Sequence, residues 1–324
     1  MKFRIGIIGL LLTCVLAAPA LAQSGNYPNR PIRVIVGFAA GGGNDIFARI
    51  VGQKLQDNIG QPVVVENKPG AQGRIAADYA AHQPPDGYTL LVGASGQMSM
   101  AAAIYPKLSY HPTKTFVPLA MIASFPLILV VQNATPAKSV QELVAYAKAH
   151  PDKANYASSS PAFTIATELL KLKTGMPGTA IPYKSSNESN VSVAGGNTLL
   201  TISDGPPAIP LIKGGQTRAL AVTADKRSPM LPDVPSMAEI GLPDVDTKLW
   251  SGLFVQAGTP APIVQKLETE LHKVLTDKDV QEKLKKLAVD PGGDVSPADF
   301  TKLINKDIAV FTDVVKAANL KFEE

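Results

Sequence analysis

Val34-Ile35-Val36-Gly37-Phe38-Ala39-Ala40-Gly41-Gly42-Gly43-Asn44-Asp45-Ile46-Phe47-Ala48-Arg49 is the stretch on which the reading of the whole chain turns. A β-branched run gives way to glycines, and a helical pattern follows at once. Ile46, Phe47, Ile50, Val51 and Leu55 recur at the three- and four-residue spacing of a buried helix face. Asn44 or Asp45 suits the N-cap, and Arg49 stands one turn after Asp45, a favourable acid-then-base pair. A glycine-lined strand-to-helix turn presents backbone N–H groups at the positive end of a helix dipole, and glycine lets an anion approach them. No Gly-Lys-Ser/Thr follows, so this is not a phosphate loop, and the dinucleotide fingerprint is not met either. Locally the stretch is equally a plain turn of an α/β domain, and the context decides.

Upstream lies a targeting segment. Lys2 and Arg4 form a basic start, Ile5 to Val15 are almost entirely apolar, and Ala20-Leu21-Ala22 is a small-x-small cleavage site before Gln23. The apolar run is too short and wrongly flanked to span a bilayer. A lipoprotein reading through Cys14 is disfavoured by Thr13 before it and apolar residues after it. Export to the periplasm with cleavage near Ala22 is the simplest expectation. It removes the only cysteine, so the mature chain of 302 residues has no disulfide or thiolate chemistry. It also lowers the formal charge from +4 to +2, as 29 basic against 27 acidic residues remain. That balance leaves no electrostatic footprint for nucleic acid or anionic membrane, and no later run is long enough to insert.

Downstream the pattern repeats. Gly60-Gln61-Pro62 ends a helix over 45–58, and Val63-Val64-Val65 reads as a second strand. Asn67-Lys68-Pro69-Gly70-Ala71-Gln72-Gly73 then opens a helix through Ile75, Ala76, Tyr79 and Ala80. Pro84-Pro85-Asp86-Gly87 precedes a third strand, Tyr88–Val92. Strands and helices alternating through short links describe a parallel sheet with right-handed crossovers, whose ligands sit beyond the carboxyl ends of the strands. The opening turn and Gly93-Ala94-Ser95-Gly96-Gln97 both lie at that edge. Farther on, a short strand Asn155-Tyr156-Ala157 meets Ser158-Ser159-Ser160-Pro161-Ala162-Phe163-Thr164 and a helix, Ile165–Lys173. Serines replace glycines, and ordinary helix capping is the competing reading. Further short strands follow at 180–183, 199–203, 218–223 and 250–255, with a helical or irregular segment 187–194 and a turn at Asp204. Helices over 260–275, 277–287 and 296–318 close the chain. Two α/β units joined by crossings near 126–131 and 250–255 are expected.

Several ordered motifs resemble the tripartite tricarboxylate transporter substrate-binding proteins, also called the Bordetella uptake gene family. They are Val65-Glu66-Asn67-Lys68-Pro69-Gly70-Ala71-Gln72-Gly73, Pro84-Pro85-Asp86-Gly87-Tyr88-Thr89-Leu90-Leu91, Ile181-Pro182-Tyr183-Lys184, Arg218–Thr223, Arg227–Ser236, and Gly252-Leu253-Phe254 before Ala257-Gly258-Thr259-Pro260. The resemblance covers essentially the whole mature chain. It implies a two-domain α/β fold of the periplasmic-binding-protein type II (Venus flytrap), each domain a mainly parallel sheet flanked by helices. Domain 1 would hold residues 23–126 plus 252–324 and domain 2 residues 127–251. The ligand would be a small mono- or dicarboxylate, and it can be aromatic. The first-domain set then comprises Phe38, Ala40, Gly42, Gly43, Asn44 and Asp45, with Ser95 and Gln97 from the neighbouring turn. The second-domain set comprises Ser158, Ser159, Ser160, Phe163 and Thr164, with Asn187 and Asp204. The implied partners are membrane subunits of a tripartite tricarboxylate transporter, or a sensor, with the receptor itself a monomer. Three departures from the family pattern put ligand identity in question: Ala39-Ala40 instead of prolines, Ser160-Pro161-Ala162-Phe163 without glycine, and the polar run Ser185-Ser186-Asn187-Glu188-Ser189-Asn190.

Enzyme chemistry is poorly served. His82, His111, His150 and His272 show no metal-ligand spacing, and no cofactor is called for. Gly93-Ala94-Ser95-Gly96-Gln97 lacks the second glycine of a nucleophile elbow, so an exported hydrolase using Ser95 is the minor alternative. A structural or adhesive envelope protein would need repeats or all-β patterning, which the chain lacks.

Overall fold

The computed structural model describes residues 27–38, 40, 43–183, 186–287 and 289–322; the targeting segment 1–22 and the candidate Gly42 lie outside them. β1 (Ile32–Val36) leads to α1 (Gly43–Ile59), β2 (Val63–Asn67), α2 (Arg74–Ala81) and β3 (Thr89–Ala94), as the alternation predicts. A π-helical turn, Gly96–Met100, and the short α3 (Ala101–Ile104) follow. β4 (Phe116–Phe125) and β5 (Ile128–Gln132) follow, with Pro126 and Leu127 between them. Next come α4 (Val140–Ala149), β6 (Asn155–Ser158), α5 (Pro161–Thr174), β7 (Thr179–Pro182), α6 (Ser186–Ala194), β8 (Leu200–Ser203), α7 (Gly205–Lys213) and β9 (Thr217–Val222). β10 (Leu249–Gln256), α8 (Ala261–Thr276), α9 (Lys278–Lys286), β11 (Asp290–Pro291) and α10 (Pro297–Ala317) complete the chain.

These strands form two sheets, in the orders β11-β4-β10-β3-β1-β2 and β7-β6-β8-β5-β9. β1 is parallel to β2 and β3, and β6 is parallel to β7 and β8. β10 runs antiparallel between β3 and β4, and β5 runs antiparallel between β8 and β9. The dissent has a simple cause. Each of these strands is the one by which the chain enters a sheet from the other, so it starts where its neighbours end. Leu249 pairs with Phe125 and Ser251 with Ala94, while Ile128 pairs with Ser203 and Val222. Only Pro126 and Leu127 separate β4 from β5. The carboxyl edges of the two sheets therefore meet at the crossings. β10 lies wholly in the six-stranded sheet, so the second passage is made before it, between Val222 and Leu249, rather than at 250–255.

Period-two alternation supplies each sheet with two covered faces. Ile32, Val34, Val36, Leu90, Val92, Leu253 and Val255 pack with α1, α8 and α9 residues, and Ile35, Leu91, Trp250 and Phe254 pack on the opposite face with α2 and α10. In the second lobe Leu129, Val131, Tyr156, Leu200 and Ile202 share one cluster and Ile128, Val130, Val193, Ala208 and Val222 another. Each fully buried aliphatic chain contributes about 1.5–3 kcal/mol. α10 belongs to both lobes: Phe300 and Ile304 lie in a first-lobe cluster, and Phe311 and Val314 in the second-lobe cluster.

Candidate functional site

Three strand-to-helix turns of the first lobe interlock at the carboxyl edge. A Cβ on Gly37 would stand 2.6 Å from Gly73 Cα, so both positions need glycine for the backbones to touch. Gly73 adopts φ +90°, and Gln97, 1% exposed, donates from Nε2 to its carbonyl at 2.8 Å. Gln97 Oε1 in turn accepts from Ala94 N at 3.3 Å. Gln97 thus braces the second turn, a role fixed by a residue 24 positions away.

Of the other first-lobe candidates, Ala40 and Gly43 are exposed, and Phe38 is half-buried against the first-lobe core. Asn44 accepts a short hydrogen bond from Ser251 Oγ of β10. Ser95, 1% exposed, pairs with Trp250 on both sides: its N–H donates to the Trp250 carbonyl at 2.9 Å, and its Oγ accepts from Trp250 N at 3.3 Å. Asp45 is 2% exposed and accepts from Arg49 Nε at 3.0 Å and from Asn67 Nδ2 at 2.9 Å. The acid-then-base pair read from the sequence is present, with a third member from the end of β2.

The serine turn of the second lobe is tied together through one carbonyl. Ser160 O accepts from Thr164 N (3.1 Å), Thr164 Oγ1 (3.2 Å) and Ser158 Oγ (3.2 Å), and Ser158 Oγ lies 2.8 Å from Thr164 Oγ1. Ser160 is the N-cap residue of α5, yet its side chain makes no capping bond, unlike Ser139 on α4 and Ser296 on α10. Side-chain capping of α5 therefore does not account for Ser160. Ser159 is half-buried. Phe163 is 8% exposed and belongs to the second-lobe core, where its ring packs among aliphatic residues. The neighbouring turns join this one: Tyr183 N donates to Ser158 O at 2.8 Å, and Asn190 Nδ2 donates to Ser203 Oγ and Ser186 O, both at 2.8 Å. Ser203 Oγ donates to Asp204 Oδ1 at 3.2 Å. Asn187 is exposed and lines a surface groove with Tyr183, Val191 and Asn197.

Sequence reading missed Asn67, Asn190 and Ser251 as parts of this constellation. Asn67 carried a local signal, since it ends a strand just before a glycine turn. Ser251 carried none, as its partner is 207 residues away.

Between the lobes, Asp307 of α10 is 8% exposed and accepts from Trp250 Nε1 at 2.8 Å. Burial pushes its carboxyl up to about 7, and Asp246 nearby adds to the rise. Lys248, from the segment that leads into β10, pairs with Asp225 at 2.6 Å. Among the described residues no group of histidine, cysteine and acidic side chains could hold a metal ion, and no helix is long and apolar enough to cross a membrane.

A family model described as "Tripartite tricarboxylate transporter family receptor" matches residues 47–320. Protein BugT of Bordetella pertussis is 36% identical over 282 residues, covering 86% of each chain. A solved protein of R. palustris with adipate is 35% identical at a TM-score of 0.74, covering 91% of this chain and all but 1% of its own. MatC from Rhodopseudomonas palustris, with bound malate, is 32% identical at a TM-score of 0.71, covering 89% and 100% respectively.

Proposed function

The chain belongs to the tripartite tricarboxylate transporter receptor family of periplasmic solute-binding proteins, and from that premise we propose that it closes over a small mono- or dicarboxylate between its lobes. It hands that ligand to the membrane subunits of a tripartite transporter, or presents it to a sensor, as a monomer that turns nothing over. The mature receptor begins near Gln23, with a first lobe of residues 23–126 plus the chain from Leu249 onward and a second lobe between them. The observation that carries the reading is the meeting of two carboxyl edges at the crossings, each edge bearing a polar strand-to-helix turn. One turn lies at Phe38–Asp45 and the other at Ser158–Thr164. Backbone N–H groups and hydroxyls there hold a carboxylate without burying a fixed cation beside it. The relatives with adipate and malate support an aliphatic diacid. The packing of Phe163 in the second-lobe core favours aliphatic over aromatic ligands.

A hydrolase using Ser95 finds no support, because the Ser95 hydroxyl is engaged by the Trp250 N–H. The test is a melting-temperature screen of the mature protein against adipate, malate, succinate, benzoate and phthalate. A ligand at one hundred times its Kd should stabilise the folded state by about 2.7 kcal/mol. A flat response across the panel at millimolar concentration overturns the reading.

A further inference from the structure

Asp45 is the one acid among the first-lobe turns 37–45, 67–73 and 93–97, and it stands in the first turn of the helix whose N–H groups would meet the ligand. An uncompensated carboxylate there would consume the positive helix end and repel an anion. Its oxygens are instead held from two directions. Arg49 reaches Oδ2 through Nε and Oδ1 through Nη2, each at 3.0 Å. Asn67 donates to Oδ1 at 2.9 Å, donates to the Phe38 carbonyl at 3.0 Å, and accepts from Arg49 Nη2 at 3.3 Å. Both ends of the Asn67 amide are engaged, and the three side chains form a closed knot between the end of β2 and the start of α1. Asn67 also touches the turn's own backbone, at the Phe38 carbonyl.

We propose that Asn67, together with Arg49, is a positioning residue for anion capture. It anchors the Phe38 carbonyl and the Asp45 carboxylate, so the first-lobe turn keeps its shape and shows the ligand no net negative charge. The inference rests on the carboxylate-receptor reading and adds what sets the charge of that half of the site. Asparagine suits the position because it supplies two donors and an acceptor without a charge of its own. Aspartate there would add a second acid to a buried one, and alanine would remove the Asn67 donor from Asp45 and from the Phe38 carbonyl.

Calorimetry with adipate and malate on the mature protein, at low and at 0.5 M salt (about one Debye length of 10 Å against 4 Å), tests it. Arg49→Gln should weaken binding about five- to tenfold, the scale of one lost unit charge near the ligand at an intermediate effective dielectric. High salt should shrink that loss. Adding Asp45→Asn to Arg49→Gln should recover most of it, and Asn67→Asp should be weaker than Asn67→Ala. A purely structural role predicts the opposite for the pair, with the double variant at least as impaired as the single one. That result, or Arg49→Gln binding as tightly as the parent, overturns the proposal. Should Arg49→Gln fail to fold, the Asn67 pair decides: Asn67→Asp should bind more weakly than Asn67→Ala by a margin that high salt shrinks, and equal affinities overturn the proposal. If the parent protein binds no carboxylate, the receptor reading fails. The knot is then judged by urea unfolding of Asn67→Ala, Asp45→Asn and their combination, where strict additivity overturns it.

Discussion

Replacing Asp307 by asparagine should stabilise the protein at alkaline pH and change it little at acid pH. The carboxyl is 8% exposed at the point where α10 passes from one lobe to the other. Burial is the main reason it is pushed up from the usual 3.8 to about 7. The Trp250 hydrogen bond, Lys306 and Lys248 pull it down, and Asp246 pushes it up. Between those two values the folded protein keeps a proton that the unfolded chain has released. Stability therefore falls as pH rises through that window, and the loss is complete above about 7. At 1.36 kcal/mol per unit, a rise from 3.8 to about 7 amounts to about 4 kcal/mol.

Asparagine has the same shape, its amide oxygen can accept from Trp250 Nε1, and it carries no charge to desolvate. Urea unfolding at pH 8.5 should show Asp307→Asn more stable than the parent by about 2–4 kcal/mol, and at pH 4.5 the two should agree within about 1 kcal/mol. Burial also raises Asp246 and Asp290, so the variant keeps part of the slope. Equal pH slopes in the two proteins, or a less stable variant at pH 8.5, would refute the reasoning.

The other predictions concern the site and the frame. Ser158→Ala/Ser159→Ala should reduce adipate or malate affinity about tenfold or more, since hydrogen bonds to a charged group are each worth about 1.5–3 kcal/mol. Calorimetry checks this, and unchanged affinity would leave the serine turn without a ligand role. Saturating ligand should lower the radius of gyration in solution scattering, because turns on separate lobes reach one small molecule only by closure. An unchanged radius with binding independently confirmed removes the hinge. Gly252→Ala should cost about 1–3 kcal/mol in urea unfolding. The added carbon would fall on the Phe300 ring and 2.9 Å from the Ala120 carbonyl. A variant as stable as the parent would show that α10 yields easily there.

Much of the fold is legible in the amino-acid order. β1, the helix after it, the valine strand at 63 and the helices after 260 follow from spacings that the backbone itself imposes: two residues in a strand, 3.6 in a helix. The glycine and serine turns are legible for the same reason, since a turn depends on the few residues that make it. Phe116–Met121 was not legible as a strand, because Pro118 interrupts it and no clean alternation marks it. The π-helical turn after Ser95 is likewise silent in the sequence.

What each polar candidate does was decided only by the tertiary structure. Asp45 has a partner four residues away that the sequence shows and another on β2 that it does not. Ser95 and Asn44 are claimed by Trp250 and Ser251 of a strand that enters the sheet more than 150 residues later. Phe163 turns out to be core because α5 packs it against the second sheet. A hydroxyl or a carboxylate is equally ready to cap, to pair or to meet a ligand. Which of these it does depends on the donor that distant packing brings within about 3 Å, and local order carries no record of that donor.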